Sequence, residues 1–129
     1  MTVLVADDDP DMRRYVQSCL RGLGPRVGRV LEAADGAEAL AAVRSDFIHV
    51  VLADVVMPGL DGYALCRAIK EDPALPHVAV LLISGVEDRP AAQIVADAFL
   101  AKPFNARRLK AAMEDLLLRR PGSDPAAAE

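Results

Sequence analysis

Three acids, a serine and a lysine carry the chemical interest of this chain. Asp7 and Asp8 stand in the run Asp7-Asp8-Asp9-Pro10, Asp54 precedes Val55-Val56-Met57-Pro58-Gly59-Leu60-Asp61-Gly62, Ser84 precedes Gly85, and Lys102 precedes Pro103. Each follows a short apolar run. Val50-Val51-Leu52-Ala53 has the character of a buried parallel strand, which makes Asp54 a carboxylate at a strand's carboxyl end, where open α/β sheets bind and react. Taken singly, the acids read as helix or turn caps, Ser84 as a turn residue and Lys102 as a surface residue. Their joint placement at four strand ends asks for more. If the strand order is 2-1-3-4-5, the first and third strands are neighbours at the switch point and three carboxylates share one small space. Carboxylates about 5 Å apart repel by roughly 3 kcal/mol per pair at an effective dielectric near 20. A hard divalent cation relieves that cost, and all-oxygen ligands suit Mg2+, which keeps several waters and is commonly completed by a phosphoryl oxygen. Lys102 offers a compact charge to the same oxygens, and Ser84 adds a hydroxyl donor. These parts predict attack by Asp54 on phosphorus to give an aspartyl phosphate.

The elements needed to hold these residues are legible along the chain. Val3 to Ala6 form a strand; Asp9 and Pro10 read as N-cap and first helical residue, and Met12, Val16, Cys19, Leu20 and Leu23 recur at helical spacing until Gly22, Gly24 and Pro25 end the helix. A second strand around Val27 to Ala33 leads to Asp35 and Glu38, spaced as a capping box. The Asp54 strand is followed by a helix from about Gly62 through Lys70 with Tyr63, Cys66 and Ile69 inward, bounded by Pro73 and Pro76. His77 to Ile83 is the fourth strand, apolar enough to be central, and a short helical stretch follows Pro90. Ala98 to Ala101 is the fifth strand, and Asn105 caps a last helix with Leu109, Met113, Leu116 and Leu117 facing in. Five strands alternating with five helices predict a doubly wound α/β sheet with helices on both faces.

A chain of 129 residues supports one domain with a proper core. We read residues 1–120 as that domain and 121–129, rich in Pro, Gly and Ala, as a disordered tail. The formal net charge of −4 argues against a nucleic-acid surface, and the pairs Arg13-Arg14, Arg107-Arg108 and Arg119-Arg120 read as solvated helix faces. A strand that starts at Thr2 leaves no room for a signal peptide, and no apolar stretch reaches membrane-spanning length, so a cytoplasmic location is expected. Cys19 and Cys66 fall at apolar helical positions as free thiols. His49 and His77 open the third and fourth strands and have structural roles.

In these motifs, Val5-Ala6-Asp7-Asp8-Asp9-Pro10, Asp54 through Gly62, Ile83-Ser84-Gly85 and Lys102-Pro103-Phe104, the chain resembles the receiver domain of bacterial response regulators of two-component signalling, the single-domain chemotaxis regulators among them, up to about Leu118. The resemblance implies a flavodoxin-like fold. It implies that a sensor histidine kinase or histidine phosphotransfer protein donates a phosphoryl group to Asp54, and that Asp8 and Asp54 ligate Mg2+ with the Val56 carbonyl while Asp7 holds a water on the metal. Ser84 and Lys102 would grip the phosphoryl oxygens. Pro58, Gly59 and Gly62 would shape the turn, and the Lys102-Pro103 bond would be cis. Phosphorylation would draw Ser84 inward and turn the aromatic at Phe99 as the switch.

Two departures from the family pattern bear on output. The stretch from Ser84 to Lys102 is shorter than usual by about one helical turn, so a short or irregular fourth helix is expected, and with it an altered partner or dimer face. Val56 and Val86 put apolar side chains beside the phosphoryl group, which predicts slow self-dephosphorylation. The expected protein is a stand-alone receiver, a monomer or weak dimer, that signals to a downstream protein by phosphorylation-dependent binding and has no separate enzymatic turnover. A sink or shuttle in a phosphorelay would look identical. The alternatives from other classes are a pseudo-receiver, which the intact Asp, Ser and Lys positions argue against, and a free-standing phosphatase, for which Val56 stands where a second acid would be needed.

Overall fold

The computed structural model describes residues 1–85 and 96–119. Parallel strands β1 (Thr2–Ala6), β2 (Arg29–Ala33), β3 (Val50–Asp54), β4 (Ala79–Ser84) and β5 (Ala98–Ala101) form one sheet in the order β2-β1-β3-β4-β5. The helices are α1 (Pro10–Leu20), α2 (Gly36–Ser45), α3 (Gly62–Glu71) and α4 (Ala106–Arg119). The expected doubly wound architecture is therefore present. The short helix expected after Pro90, Val86 and the tail 121–129 lie outside the described residues.

Strand periodicity divides the core in two. On one face Val3, Val5, Val50, Leu52, Leu81, Ile83 and Leu100 pack with Val16 and Leu20 of α1 and Leu109, Met113 and Leu116 of α4. On the other, Leu4, Val51, Ala53, Val80 and Leu82 pack with Ala39 and Val43 of α2 and Leu65, Cys66 and Ile69 of α3. β3 and β4 are buried along their whole lengths, as their near-continuous apolar sequences require. β2 and β5 are edge strands with mixed exposure.

The caps follow the sequence. Asp9 accepts the Asp11 N–H with Pro10 next in line, Asp35 accepts the Glu38 N–H at 2.7 Å, and Asn105 accepts the Arg108 N–H at 2.9 Å. Element bounds differ in two places. Residues Arg21–Arg26 form a 3-10 turn rather than a plain break, with Gly24 at φ +65°, so β2 starts at Arg29 instead of Val27. The fourth strand starts at Ala79 rather than His77, because residues 72–78 form a connection in which Asp72 accepts the Ala74 N–H. His49 and His77 precede β3 and β4, at the sheet end remote from Asp54; His49 Nδ1 accepts the Thr2 N–H at 3.0 Å.

Candidate functional site

At the carboxyl edge of the sheet β1, β3, β4 and β5 deliver their last residues to one place. β1 and β3 are neighbours, and the backbone N–H of Asp7 continues the sheet by donating to Ala33 O at 3.1 Å. Asp7 and Asp54 are both buried, as is Ser84. On the far side the Lys102 N–H donates to Ser84 O at 2.8 Å, which ties the Lys102-Pro103 loop to the end of β4, and that peptide bond is cis as expected.

The centre of the site is an ion pair. Lys102 Nζ lies 2.6 Å from Asp54 Oδ2, while Asp54 Oδ1 accepts the Val56 N–H at 2.9 Å. Asp7 Oδ1 accepts the Asp9 N–H at 2.9 Å. Burial pushes the Asp7 carboxyl up to about 6; the Asp9 N–H and the Lys102 charge oppose this, while the charge of Asp54 and a side-chain hydrogen bond to it add to it. Asp8 follows on the exposed side of the loop, and Val56, 60% exposed, flanks the mouth.

The loop from Val55 to Asp61 turns the chain back under Asp54. Gly59 occupies the left-handed region at φ +71°, and Gly62 is required by proximity: a Cβ there would lie 2.5 Å from Asp54 O and 2.7 Å from Val55 Cα. Gly62 N–H donates to Val55 O at 2.9 Å, and Asp61 caps α3 by accepting the Ala64 N–H at 2.8 Å. Pro58 is exposed at the turn.

Among the described residues no three His, Cys, Asp or Glu side chains converge as a closed metal cage would. The donor set nonetheless fits Mg2+, which is commonly bound by one or two carboxylates together with waters and phosphate oxygens. Asp7 and Asp54 form a buried pair of oxygen donors whose mutual repulsion already shows in the raised Asp7, and Asp8 stands beside them at the solvent side.

One residue of the neighbourhood escaped the sequence reading. Arg13 is not a solvated residue of α1: its side chain is 17% exposed, with Nε on Glu32 Oε1 at 2.9 Å and Nη1 on Asp7 O at 2.7 Å. Arg14 is solvated, 78% exposed and paired with Asp11. Nothing in the sequence of α1 separates Arg13 from Arg14; the approach of Glu32 on β2 and of the Asp7 carbonyl does. Phe99 lies on β5, 40% exposed, on the strand face opposite the buried Ala98 and Leu100.

Residues 3–114 match the family described as the response regulator receiver domain. The chain belongs to that family. The chemotaxis protein CheY of Pseudomonas aeruginosa is 35% identical to this receiver over 123 residues, 92% of this chain and 98% of that protein. A probable transcriptional regulator ycf27 of Porphyridium aerugineum is 33% identical over 118 residues, 91% of this chain and 48% of the relative. The receiver thus spans about half the length of that protein and of similar curated relatives. Among solved structures, the chemotaxis response regulator CheY4 of Vibrio cholerae matches this receiver with a TM-score of 0.77 at 29% identity, covering 90% of this chain and 98% of that one. The receiver domain of a signal transduction histidine kinase from Syntrophus aciditrophicus matches with a TM-score of 0.80 at 28% identity, covering 90% and 89%. One receiver architecture therefore recurs in proteins with different outputs.

Proposed function

We propose that this receiver accepts a phosphoryl group on Asp54 from the phosphohistidine of a sensor kinase or phosphotransfer protein, and that the phosphorylated form is read by a downstream protein. The observation that carries this reading is the buried Asp54 carboxylate at the end of β3 with Lys102 Nζ 2.6 Å away. A carboxylate oxygen of Asp54 attacks phosphorus as the P–N bond to the donor imidazole breaks, with the electron pair leaving on that nitrogen. Lys102 already rests on Asp54 Oδ2 and can follow the negative charge onto a phosphoryl oxygen without leaving the site. Ser84 supplies a hydroxyl from the adjacent strand end. Asp7, Asp8, Asp54 and the Val56 carbonyl would hold Mg2+, which when bound offsets the charge gathered at the transferring phosphoryl group. Val56, apolar and exposed at the mouth, shields phosphorus from attacking water, so Val56→Asn is expected to speed loss of the phosphoryl group.

Ser84 and Phe99 stand on paired strands β4 and β5, Phe99 opposite Leu82. A shift of the Ser84 end of β4 on phosphorylation therefore has a short route to the exposed Phe99 ring, which is the proposed output switch.

The test is intact-protein mass after incubation with Mg2+ and acetyl phosphate, beside Asp54→Asn, with a beryllofluoride titration followed by NMR. A phosphoryl adduct on the native chain that disappears without Mg2+ and in the variant is the expected result. Absence of both the adduct and any beryllofluoride-induced shift overturns the reading and leaves a phosphorylation-independent interaction module.

A further inference from the structure

We propose that Arg13 is a positioning residue for the acidic loop: its guanidinium, fixed on Glu32, holds the Asp7 carbonyl and so sets how the Asp7 and Asp8 carboxylates face a cation. The inference rests on the reading above that these acids bind Mg2+.

The Asp7–Asp8 peptide contains the Asp7 carbonyl, and its orientation governs where Asp8 goes. Two other polar atoms of Asp7 are already engaged: its N–H donates to Ala33 O at 3.1 Å and its Oδ1 accepts the Asp9 N–H at 2.9 Å. Arg13 Nη1, 2.7 Å from Asp7 O, opposes rotation of that peptide plane. The guanidinium is itself held, because Nε meets Glu32 Oε1 at 2.9 Å on β2. Hydrogen bonds from Arg13 and Gln17 keep the Glu32 carboxyl below its ordinary range. A planar fork presents its donors to a carboxylate and a carbonyl at a fixed mutual angle and separation; an ammonium on a flexible stem can reach two acceptors but imposes no such geometry on them. Groups that orient metal-binding residues commonly change affinity by roughly ten- to a hundredfold when removed.

The sign of the effect separates positioning from charge. Removing a positive side chain beside an acidic site tightens cation binding if charge alone acts; it weakens binding if the side chain orients the ligands. The experiment is titration of the protein with Mg2+ alone, without phosphodonor, followed by amide NMR shifts in the native chain, Arg13→Met, Arg13→Lys and Arg14→Met, with urea denaturation of each. Arg13→Met is expected to raise the Mg2+ Kd roughly tenfold. Arg13→Lys, which keeps the charge and loses the fork, is expected to raise it severalfold and carries the test if Arg13→Met does not fold. Arg14→Met is expected to leave Kd unchanged or slightly lower. Equal or tighter Mg2+ binding by the folded Arg13 variants overturns the proposal even if their stability falls, since that is the result of a purely structural role. If the native chain binds no Mg2+, the reading of the acids as a metal site fails and this inference fails with it, a result distinct from the preceding one.

Discussion

Asp7 is 3% exposed and lies against Asp54, so ionising it costs desolvation and then repulsion, and its carboxyl titrates near 6 instead of 3.8. A carboxyl with a raised folded-state pKa holds its proton longer in the native protein, so the native state binds more protons between the two values and stability falls as pH rises through that window. Asp7→Asn keeps an acceptor for the Asp9 N–H and removes the charge. Without divalent cations it is expected to be more stable than the native chain by about 1–3 kcal/mol at pH 7.5, the gain fading as pH is lowered from about 6 to 3.8; urea denaturation across pH measures it. Burial likewise pushes the Cys66 thiol up to about 11. Cys66 and Cys19 are both buried, so the folded protein at pH 7.5 is expected to react with a thiol reagent at least about tenfold more slowly than in urea. Fast labelling of the folded chain would contradict the packing of α1 and α3 described above.

The segment from β3 into α3 works as one element: strand end, turn, cap and helix are locked by contacts within a dozen residues. Gly62 is its tightest point, because any side chain there meets the Asp54 and Val55 backbone. Gly62→Ala is expected to cost about 2 kcal/mol or more in a denaturant titration and to reduce phosphorylation of Asp54, since the backbone carrying the nucleophile must move. The strand ending in Asp54, the turn after it and a helix from about Gly62 were legible because an apolar run closed by Pro and Gly is a local signal; the Asp61 cap was read only in the structure. Arg13 was not legible for the opposite reason. Two consecutive arginines on an amphipathic helix look alike in sequence; only the approach of β2 gives one of them Glu32 and the Asp7 carbonyl and leaves the other in water.

Across the whole molecule, protection should follow the sheet order. Among the described residues β1, β3 and β4 are interior strands between two apolar layers, whereas β2 and β5 are the two edge strands of the sheet. Native-state hydrogen exchange is therefore expected to find the slowest amides in β3 and β4, opening only with global unfolding, and faster ones in β2 and β5; slower exchange in β2 than in β4 would contradict this ordering. No helix among the described residues is long and apolar enough to cross a membrane. By itself the sequence determined the alternation of strands and helices, the caps at Asp9, Asp35 and Asn105, and the strand-end positions of Asp7, Asp54, Ser84 and Lys102, since apolar periodicity and turn chemistry act over a few neighbouring residues. The tertiary structure alone decided that Lys102, expected near the acids, pairs directly with Asp54 Oδ2 at 2.6 Å across 48 positions, that Asp7 is buried enough to hold its proton to about 6, and that Arg13 bridges β2 to the acidic loop. Those outcomes depend on distance and desolvation between segments far apart in the chain, and these exist only once the sheet has brought its carboxyl ends to one edge.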